Sequence, residues 1–185
     1  MKDQLLWHAF RVRPAFEIIV AAKLAAEGID VFVPYSQSRQ RSASGKRSET
    51  PLLPNYVFCR IDSGARLPVL ITPGVMSFVG NGTSATAVND IEIATLKAVV
   101  GSGLRYESCP FISTGQQVVI GDGPLKSFEG LLVESDDDYR IAFGISLIER
   151  SVLVELGSRT QIVRIEDAHA AVRPLQPWVR GARTT

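Results

Sequence analysis

The chain is poor in the residues that most often build metal sites and disulfide frameworks. Its 185 residues include two cysteines, Cys59 and Cys109, and two histidines, His8 and His169. Their unrelated spacings match neither a zinc motif nor a disulfide framework. Cys59 lies in a predicted strand, where a small buried thiol is the usual interpretation. We therefore expect a reducing, cytoplasmic compartment, no metal and no cofactor.

Long apolar runs and a strong net charge are also missing. No run of about 18 apolar residues could span a bilayer, and the N-terminus does not resemble a signal peptide. The formal net charge is +1, so any contact with nucleic acid must use a local patch. A composition of 45% hydrophobic and 21% charged residues is typical of a folded domain with a buried core.

Catalytic constellations are absent from the sequence as well. The stretch Gly121-Asp122-Gly123-Pro124 lacks the Lys and Ser/Thr of a phosphate-binding P-loop. The run Asp136-Asp137-Asp138 is typical of a solvated turn rather than a metal site. Without a nucleophile and base pair, a metal set or a phosphate loop, we predict that the protein is not an enzyme.

The first hundred residues read as a strand–helix–strand unit followed by a second helix. Residues 5–12 form a predicted strand, and Pro14 is expected to open a helix at its first turn, where its missing N–H costs nothing. Gly28 stands where a left-handed C-terminal cap belongs. Further on, Asn89 and Glu92 have the spacing of a capping box at the start of another helix. This order predicts helices packed on a sheet.

Residues 36–50 are rich in serine and lack a hydrophobic period, so we expect an exposed loop. One acid, Glu49, accompanies four basic residues there, which are Arg39, Arg41, Lys46 and Arg47. Two interpretations remain open. The segment is either a phosphate-contacting finger or a solvated hairpin loop.

The last third reads as a small all-β unit. Residues 101–115 contain three glycines and Pro110 without a helical period, which is typical of a linker. Short predicted strands follow at a spacing of about ten residues; they cover residues 118–120, 131–134, 139–145, 152–156 and 161–163. Residues 174–185 are expected to be a tail.

Two motifs about 70 residues apart connect these units to a known family. The first is the apolar, aromatic segment Pro51-Leu52-Leu53-Pro54-Asn55-Tyr56-Val57-Phe58. The second is the turn Asp122-Gly123-Pro124 with Phe128-Glu129-Gly130. Together with Trp7, Glu17 and Thr72-Pro73-Gly74-Val75, their order and spacing resemble the NusG family of transcription elongation factors.

Within that family the chain is most similar to the specialised RfaH- and UpxY-like members. Asn follows Pro54, as in RfaH, where general NusG carries Gly. The segment Gly101-Ser102-Gly103-Leu104 with Pro110 resembles the UpxY-like linker. Arg11-Val12-Arg13-Pro14 resembles that subgroup's entry to the first helix.

The resemblance implies an α+β fold in two domains. An N-terminal NusG (NGN) α/β sandwich with an antiparallel sheet would cover residues 1–101, and a flexible linker residues 102–113. A C-terminal SH3-like β-barrel (KOW) would cover residues 114–174, and a tail residues 175–185. Residues 139–154 are rich in β-branched side chains, so we predict a KOW barrel that does not refold into a helical hairpin.

The resemblance also implies a partner and a docking site. In the family the N-terminal domain binds the β′ clamp helices of RNA polymerase and bridges toward the β subunit. Carried over to this sequence, the RNA polymerase-binding residues are Leu53, Pro54, Tyr56, Phe58 and Arg11. Tyr56 and Phe58 share one strand face, and Phe58 could equally be a core residue. The β-side contact has no recognisable motif here.

Two further sites follow from the resemblance. The nucleic-acid-binding candidates are Arg13, Arg39, Arg41, Lys46 and Arg47, which would contact non-template DNA or nascent RNA. The KOW partner-binding candidates are Ile148, Glu149 and Arg150, facing a small-subunit ribosomal protein or Rho; Ile148 could instead be a core residue.

The implied function is a monomeric transcription antiterminator that increases polymerase processivity. Two alternatives stay open at this stage. One is a NusG-like factor that promotes pausing or Rho-dependent termination. The other is a KOW-type RNA- or ribosome-binding protein, although such proteins are usually far more basic.

Overall fold

The computed structural model describes residues 4–41, 47–62, 64, 66–80, 85–134, 139–156 and 162–164. Helices and strands alternate in the first half of this described part, and strands dominate the second half. In chain order the elements are β1 (Leu6–Val12), α1 (Glu17–Ala26), β2 (Asp30–Phe32), β3 (Tyr35–Arg41), β4 (Arg47–Pro51), β5 (Tyr56–Ile61), α2 (Leu67–Leu70), β6 (Val75–Phe78), β7 (Ala87–Val88), α3 (Asp90–Gly101), β8 (Tyr106–Pro110), β9 (Gln116–Ile120), β10 (Glu129–Glu134), β11 (Tyr139–Ile145), a 3-10 turn (Ser146–Ile148), β12 (Arg150–Leu156) and β13 (Ile162–Arg164).

An antiparallel sheet with the order β2-β5-β1-β6 is the centre of the first module, which we define as residues 4–101; β7 also pairs with β1. The strands alternate between two apolar faces, as a sheet buried on both sides requires. On one face Phe10 and Val57 pack with Val20 and Leu24 of α1 and with Val69 of α2. Helices α1 and α2 therefore cover this face.

The opposite face of the same sheet carries Trp7, Ala9 and Phe58. These side chains are buried in one cluster with Ile93 and Leu96 of α3. Because both faces are covered by helices, the module is a helix–sheet–helix sandwich, in agreement with the predicted α+β arrangement.

Helix α1 begins three residues later than the sequence predicts. Ala15 has a φ of +64°, and the Phe16 N–H donates to Arg13 O, so Pro14 lies in a turn. The left-handed φ of Ala15 cannot belong to a right-handed helix, and α1 starts at Glu17. The predicted cap at the other end is confirmed, because Gly28 has a φ of +81°.

Strands β3 and β4 pair with each other as a separate two-stranded sheet. The prediction of a loop was therefore wrong for residues 36–41 and 47–50, which are strands, whereas a hairpin was one of the two interpretations left open. Pairing uses the main-chain N–H and C=O groups that every non-proline residue carries, so a missing apolar period did not exclude a hairpin. The Leu52 N–H closes the base by donating to Pro34 O at 2.8 Å.

The second module, which we define as residues 106–164, contains one antiparallel sheet with the order β13-β9-β10-β11-β12-β8. All five strands predicted here are present. The sixth, β8, falls within the predicted linker and pairs with β12. Gly130 on β10 permits close packing, because a Cβ there would collide with Ile141 Cγ2. The predicted turn at Asp136–Asp138 and the tail at 175–185 lie outside the described residues.

The two modules are in contact. Buried residues of the α3 face and of the second sheet belong to one continuous apolar cluster. Tyr106 Oη donates to Tyr35 O at 2.9 Å. The Ser146 N–H and Oγ–H both donate to Glu92 Oε1, at 3.2 and 2.9 Å. Residues that the sequence assigned to separate domains thus share one core.

Candidate docking site

The segment Leu53–Tyr56 is a tight turn that enters strand β5. The Tyr56 N–H donates to Leu53 O at 3.3 Å, and Asn55 has a φ of +70°. Pro at the second position and a left-handed residue at the third are the signature of a type II turn. Asn tolerates this conformation better than most residues, which explains why either Gly or Asn suits the position. Pro54 and Asn55 are exposed, and Tyr56 is half-buried.

Arg11 and Tyr56 lie side by side on neighbouring strands. They are cross-strand partners of β1 and β5, and the Arg11 guanidinium carbon is 5.9 Å from the centroid of the Tyr56 ring. A cation over an aromatic face at this distance contributes about 0.5–1 kcal/mol at an exposed site. The pair leaves an aromatic edge and a positive charge beside the turn.

Two of the predicted docking residues lie beneath this surface. Leu53 is 1% exposed and Phe58 is 0% exposed. Phe58 and Tyr56 do share a strand face, but Phe58 is nearer the middle of the sheet, where α3 covers it. In this structure Leu53 and Phe58 support the turn from within the core, and their contact with a partner remains a prediction.

Sequence reasoning missed an aromatic cluster next to the turn. Phe32 packs against Phe58 with ring centroids 6.3 Å apart. The Lys97 Nζ lies 4.4 Å from the centroid of the Trp7 ring and 5.4 Å from that of Phe32. The sequence signal for this cluster was weak. It consists of the position of Lys97, which stands four residues after Ile93 on α3 and therefore on the same helix face, where the aliphatic stem of a lysine can cover apolar surface.

The predicted nucleic-acid residues are distributed over two parts of the first module. Arg13 is exposed just after β1 and its N–H donates to Gly74 O at 2.9 Å. Arg39 lies on β3, and the hairpin register pairs Arg41 with Arg47. Lys46 lies outside the described residues. The hairpin register thus places two arginine positions opposite each other on neighbouring strands.

The predicted KOW partner segment forms a 3-10 turn and the start of β12. Ile148 is 7% exposed and belongs to the core, whereas Glu149 and Arg150 are exposed. Glu149 has a φ of +51°, which turns the chain into β12. The neighbouring Ser146 is bound to Glu92 of α3, so this segment lies against the first module.

Nucleophilic chemistry has little support in the described part of the chain. Cys59 is 0% exposed, and burial, with a smaller effect of Asp30, raises the pKa of its thiol to about 12. Burial also raises the pKa of Cys109, with Glu107 adding to the shift. Both thiols are therefore protonated near neutral pH and poorly nucleophilic.

The described ranges hold no group of three or more His, Cys, Asp or Glu residues that could bind a metal ion. None of the helices in these ranges combines the length and apolar character needed to cross a membrane.

A family model described as the transcription termination factor NusG matches residues 5–97, just over half of the chain. The chain belongs to the NusG family. The match covers β1 through most of α3, which includes the turn at Leu53–Tyr56. The family assignment made from the sequence motifs is therefore confirmed.

Individual relatives agree with this assignment to the NusG family. The transcription termination/antitermination protein NusG of Pseudomonas aeruginosa is 28% identical over 151 residues, covering 78% of this chain and 85% of that protein. The protein of the same name from Escherichia coli K12 is 28% identical over 134 residues, covering 69% and 74%. These relatives are transcription factors, and the chain is a NusG-family transcription termination/antitermination factor.

A solved structure supports the fold. The structure described as "Domain interaction in Thermotoga maritima NusG" superposes with a TM-score of 0.54 at 22% identity, covering 86% of this chain and 97% of that one. The mixed α/β first module with its antiparallel sheet thus matches a NusG fold.

Proposed function

We propose that this NusG-family protein binds RNA polymerase through the turn at Leu53–Tyr56 and acts as an antiterminator of the RfaH- and UpxY-like kind. The observation that carries the proposal is the corner formed by the exposed Pro54 and Asn55 and the half-buried Tyr56, with Arg11 beside the Tyr56 ring. A few aromatic and arginine side chains provide most of the affinity of a typical interface. The polymerase β′ clamp helices are the proposed partner, with a further contact to the β subunit.

The other proposed partners concern the hairpin and the second module. The Arg41–Arg47 pair supports contact of the β3–β4 hairpin with non-template DNA or nascent RNA, with Arg13 and Arg39 as further contacts. For the KOW role, Glu149 and Arg150 are exposed, so a small-subunit ribosomal protein or Rho would meet these two residues first. Because Ile148 is buried here, its apolar side chain would support the segment from beneath. We propose a monomer as the active species.

Binding to core RNA polymerase and to an isolated β′ clamp-helix fragment tests the proposal. We expect Tyr56→Ala to weaken binding about 30-fold, as loss of an interface hot spot of about 2 kcal/mol does. Tyr56→Phe, which keeps the ring, should stay close to wild type. Tyr139→Ala in the second module is the matched control, and its affinity should not change. Equal affinity of wild type and Tyr56→Ala, or no binding by wild type, would contradict the proposal.

The alternative role is a factor that promotes pausing or Rho-dependent termination. It has the same polymerase contact, and the names of the relatives include both activities. Transcription in vitro across a Rho-dependent terminator separates the two. We expect more read-through when the protein is added, whereas less read-through would establish the alternative.

A further inference from the structure

Glu17 is a buried acidic residue outside the site described above. It is the first residue of α1, where the helix dipole favours a negative charge, and only 3% of it is exposed. Burial of a carboxylate is costly unless hydrogen bonds compensate it. One such hydrogen bond comes from a residue 38 positions away: the Asn55 N–H donates to Glu17 Oε1 at 2.8 Å.

The main-chain N–H and C=O groups of Asn55 both form hydrogen bonds to other elements. Its N–H is bound by the Glu17 carboxylate, and its carbonyl accepts from the Val12 N–H at 2.9 Å. The hydrogen bond within the turn, from Tyr56 to Leu53, is longer at 3.3 Å. A left-handed φ at a residue other than Gly persists where the surroundings enforce it. The bonds to α1 and β1 supply that enforcement.

We propose that Glu17 is a positioning residue that holds the turn at Leu53–Tyr56 in the conformation that presents Pro54 and Tyr56 to RNA polymerase. This inference rests on the proposed function for its partner. The contact itself is independent of that partner, because the bond links the first turn of α1 directly to the corner of the docking turn. Glu17 does not touch the partner and acts through Asn55.

Amide hydrogen exchange on the full-length protein tests the positioning role directly. We expect the Asn55 amide to exchange at least tenfold faster in Glu17→Ala than in wild type. Glu17→Gln keeps an acceptor oxygen but loses the charge that strengthens the bond, so exchange there should be only a few times faster. The Val57 amide, two residues further along the chain on β5, reports any general loss of stability.

Val20→Ala is the matched structural control. Val20 lies one turn further along α1 and is 0% exposed, so its truncation weakens the packing of the same helix and leaves the Glu17 carboxylate in place. We expect Glu17→Ala to weaken polymerase binding tenfold or more, and both Val20→Ala and Glu17→Gln to bind within about threefold of wild type.

The outcomes separate the positioning role of Glu17 from the proposed binding to RNA polymerase. Unchanged Asn55 exchange in the Glu17 variants, or an equal loss of binding in Val20→Ala, would overturn the positioning role. If Glu17→Ala does not fold, faster exchange confined to Asn55 in Glu17→Gln supports the role and unchanged exchange overturns it. If wild type does not bind polymerase, the proposed function fails, and the exchange rates still decide whether Glu17 positions the turn.

Discussion

At the scale of single residues, position along a strand decides what a side chain can do. Tyr56 and Phe58 share one face of β5, yet Tyr56 at the strand end is half-buried and Phe58 is fully buried. The period of two in the sequence predicts that they share a face. The sequence period contains no information on where α3 ends over that face. The end of α3 decides which of the two rings is accessible.

His8 shows the same dependence on surroundings and leads to a pH prediction. It is 1% exposed; its Nδ1 lies 3.3 Å from Thr86 O, and its Nε2 has no hydrogen-bond partner among the described residues. Burial lowers the pKa of His8 below the ordinary 6.5, and the positive charge of Arg66 adds to this, while Thr86 O and Asp62 oppose it.

A lowered pKa means that the folded state favours neutral His8. Its contribution to stability is therefore complete above pH 6.5 and is lost as the pH falls from 6.5 toward the folded pKa. We expect the free energy of unfolding in urea to be lower at pH 5.5 than at pH 7.5, by at most about 1.4 kcal/mol per pH unit from this group. His8→Gln removes the titrating group, so an unchanged pH slope in that variant would refute the assignment.

At the scale of elements, helix α3 begins at a cap that the local sequence encodes, and its first turn is bound by a residue that is distant in the sequence. The predicted cap is confirmed, because Asn89 Oδ1 accepts from the Ile91 N–H at 2.9 Å. The other half of the predicted capping box was wrong. Glu92 accepts from Ser146 of the second module instead, since a tertiary donor is available to it.

The cap predicts a measurable loss of stability. We expect Asn89→Ala to lower the free energy of unfolding by about 1 kcal/mol, because the Ile91 N–H loses its acceptor at the helix start. Asn89→Asp retains a capping oxygen and serves as the control, with little change expected. Chemical denaturation measures both variants, and equal stability of Asn89→Ala and wild type would show that the cap contributes nothing.

At the scale of the whole molecule, the shared core predicts joint unfolding. Trp7 of the first module and the sheet of the second module belong to one apolar cluster, so exposing one module uncovers apolar surface of the other. We expect a single cooperative transition, with Trp7 fluorescence and far-ultraviolet circular dichroism giving the same midpoint.

The fluorescence measurement must report Trp7 alone if its midpoint is to be compared with that of circular dichroism. Trp178 is the second of the two tryptophans, so the fluorescence experiment uses Trp178→Phe to isolate Trp7. Two separate midpoints would mean that the modules unfold independently and that the contact through Glu92 and Ser146 adds little coupling.

Local signals in the sequence were sufficient for the family, for the helix-and-sheet first module, for the all-β second module and for most strand positions. The turn at Leu53–Tyr56 is an example, because Pro and Asn at its two central positions favour a type II turn. Strand periods and the Asn89 cap are local in the same sense. Such features depend on neighbours within about four positions, which a single sequence displays directly.

Only the tertiary structure decided the features that depend on distant partners. It brought Glu17 to Asn55 and Glu92 to Ser146, added β8 to the second sheet, and buried Leu53, Phe58 and Ile148. Each of these outcomes depends on which surfaces meet after the chain has folded. Apolar side chains and buried carboxylates carry the same local pattern whether they face a partner or the core, so their roles follow from packing rather than from sequence order.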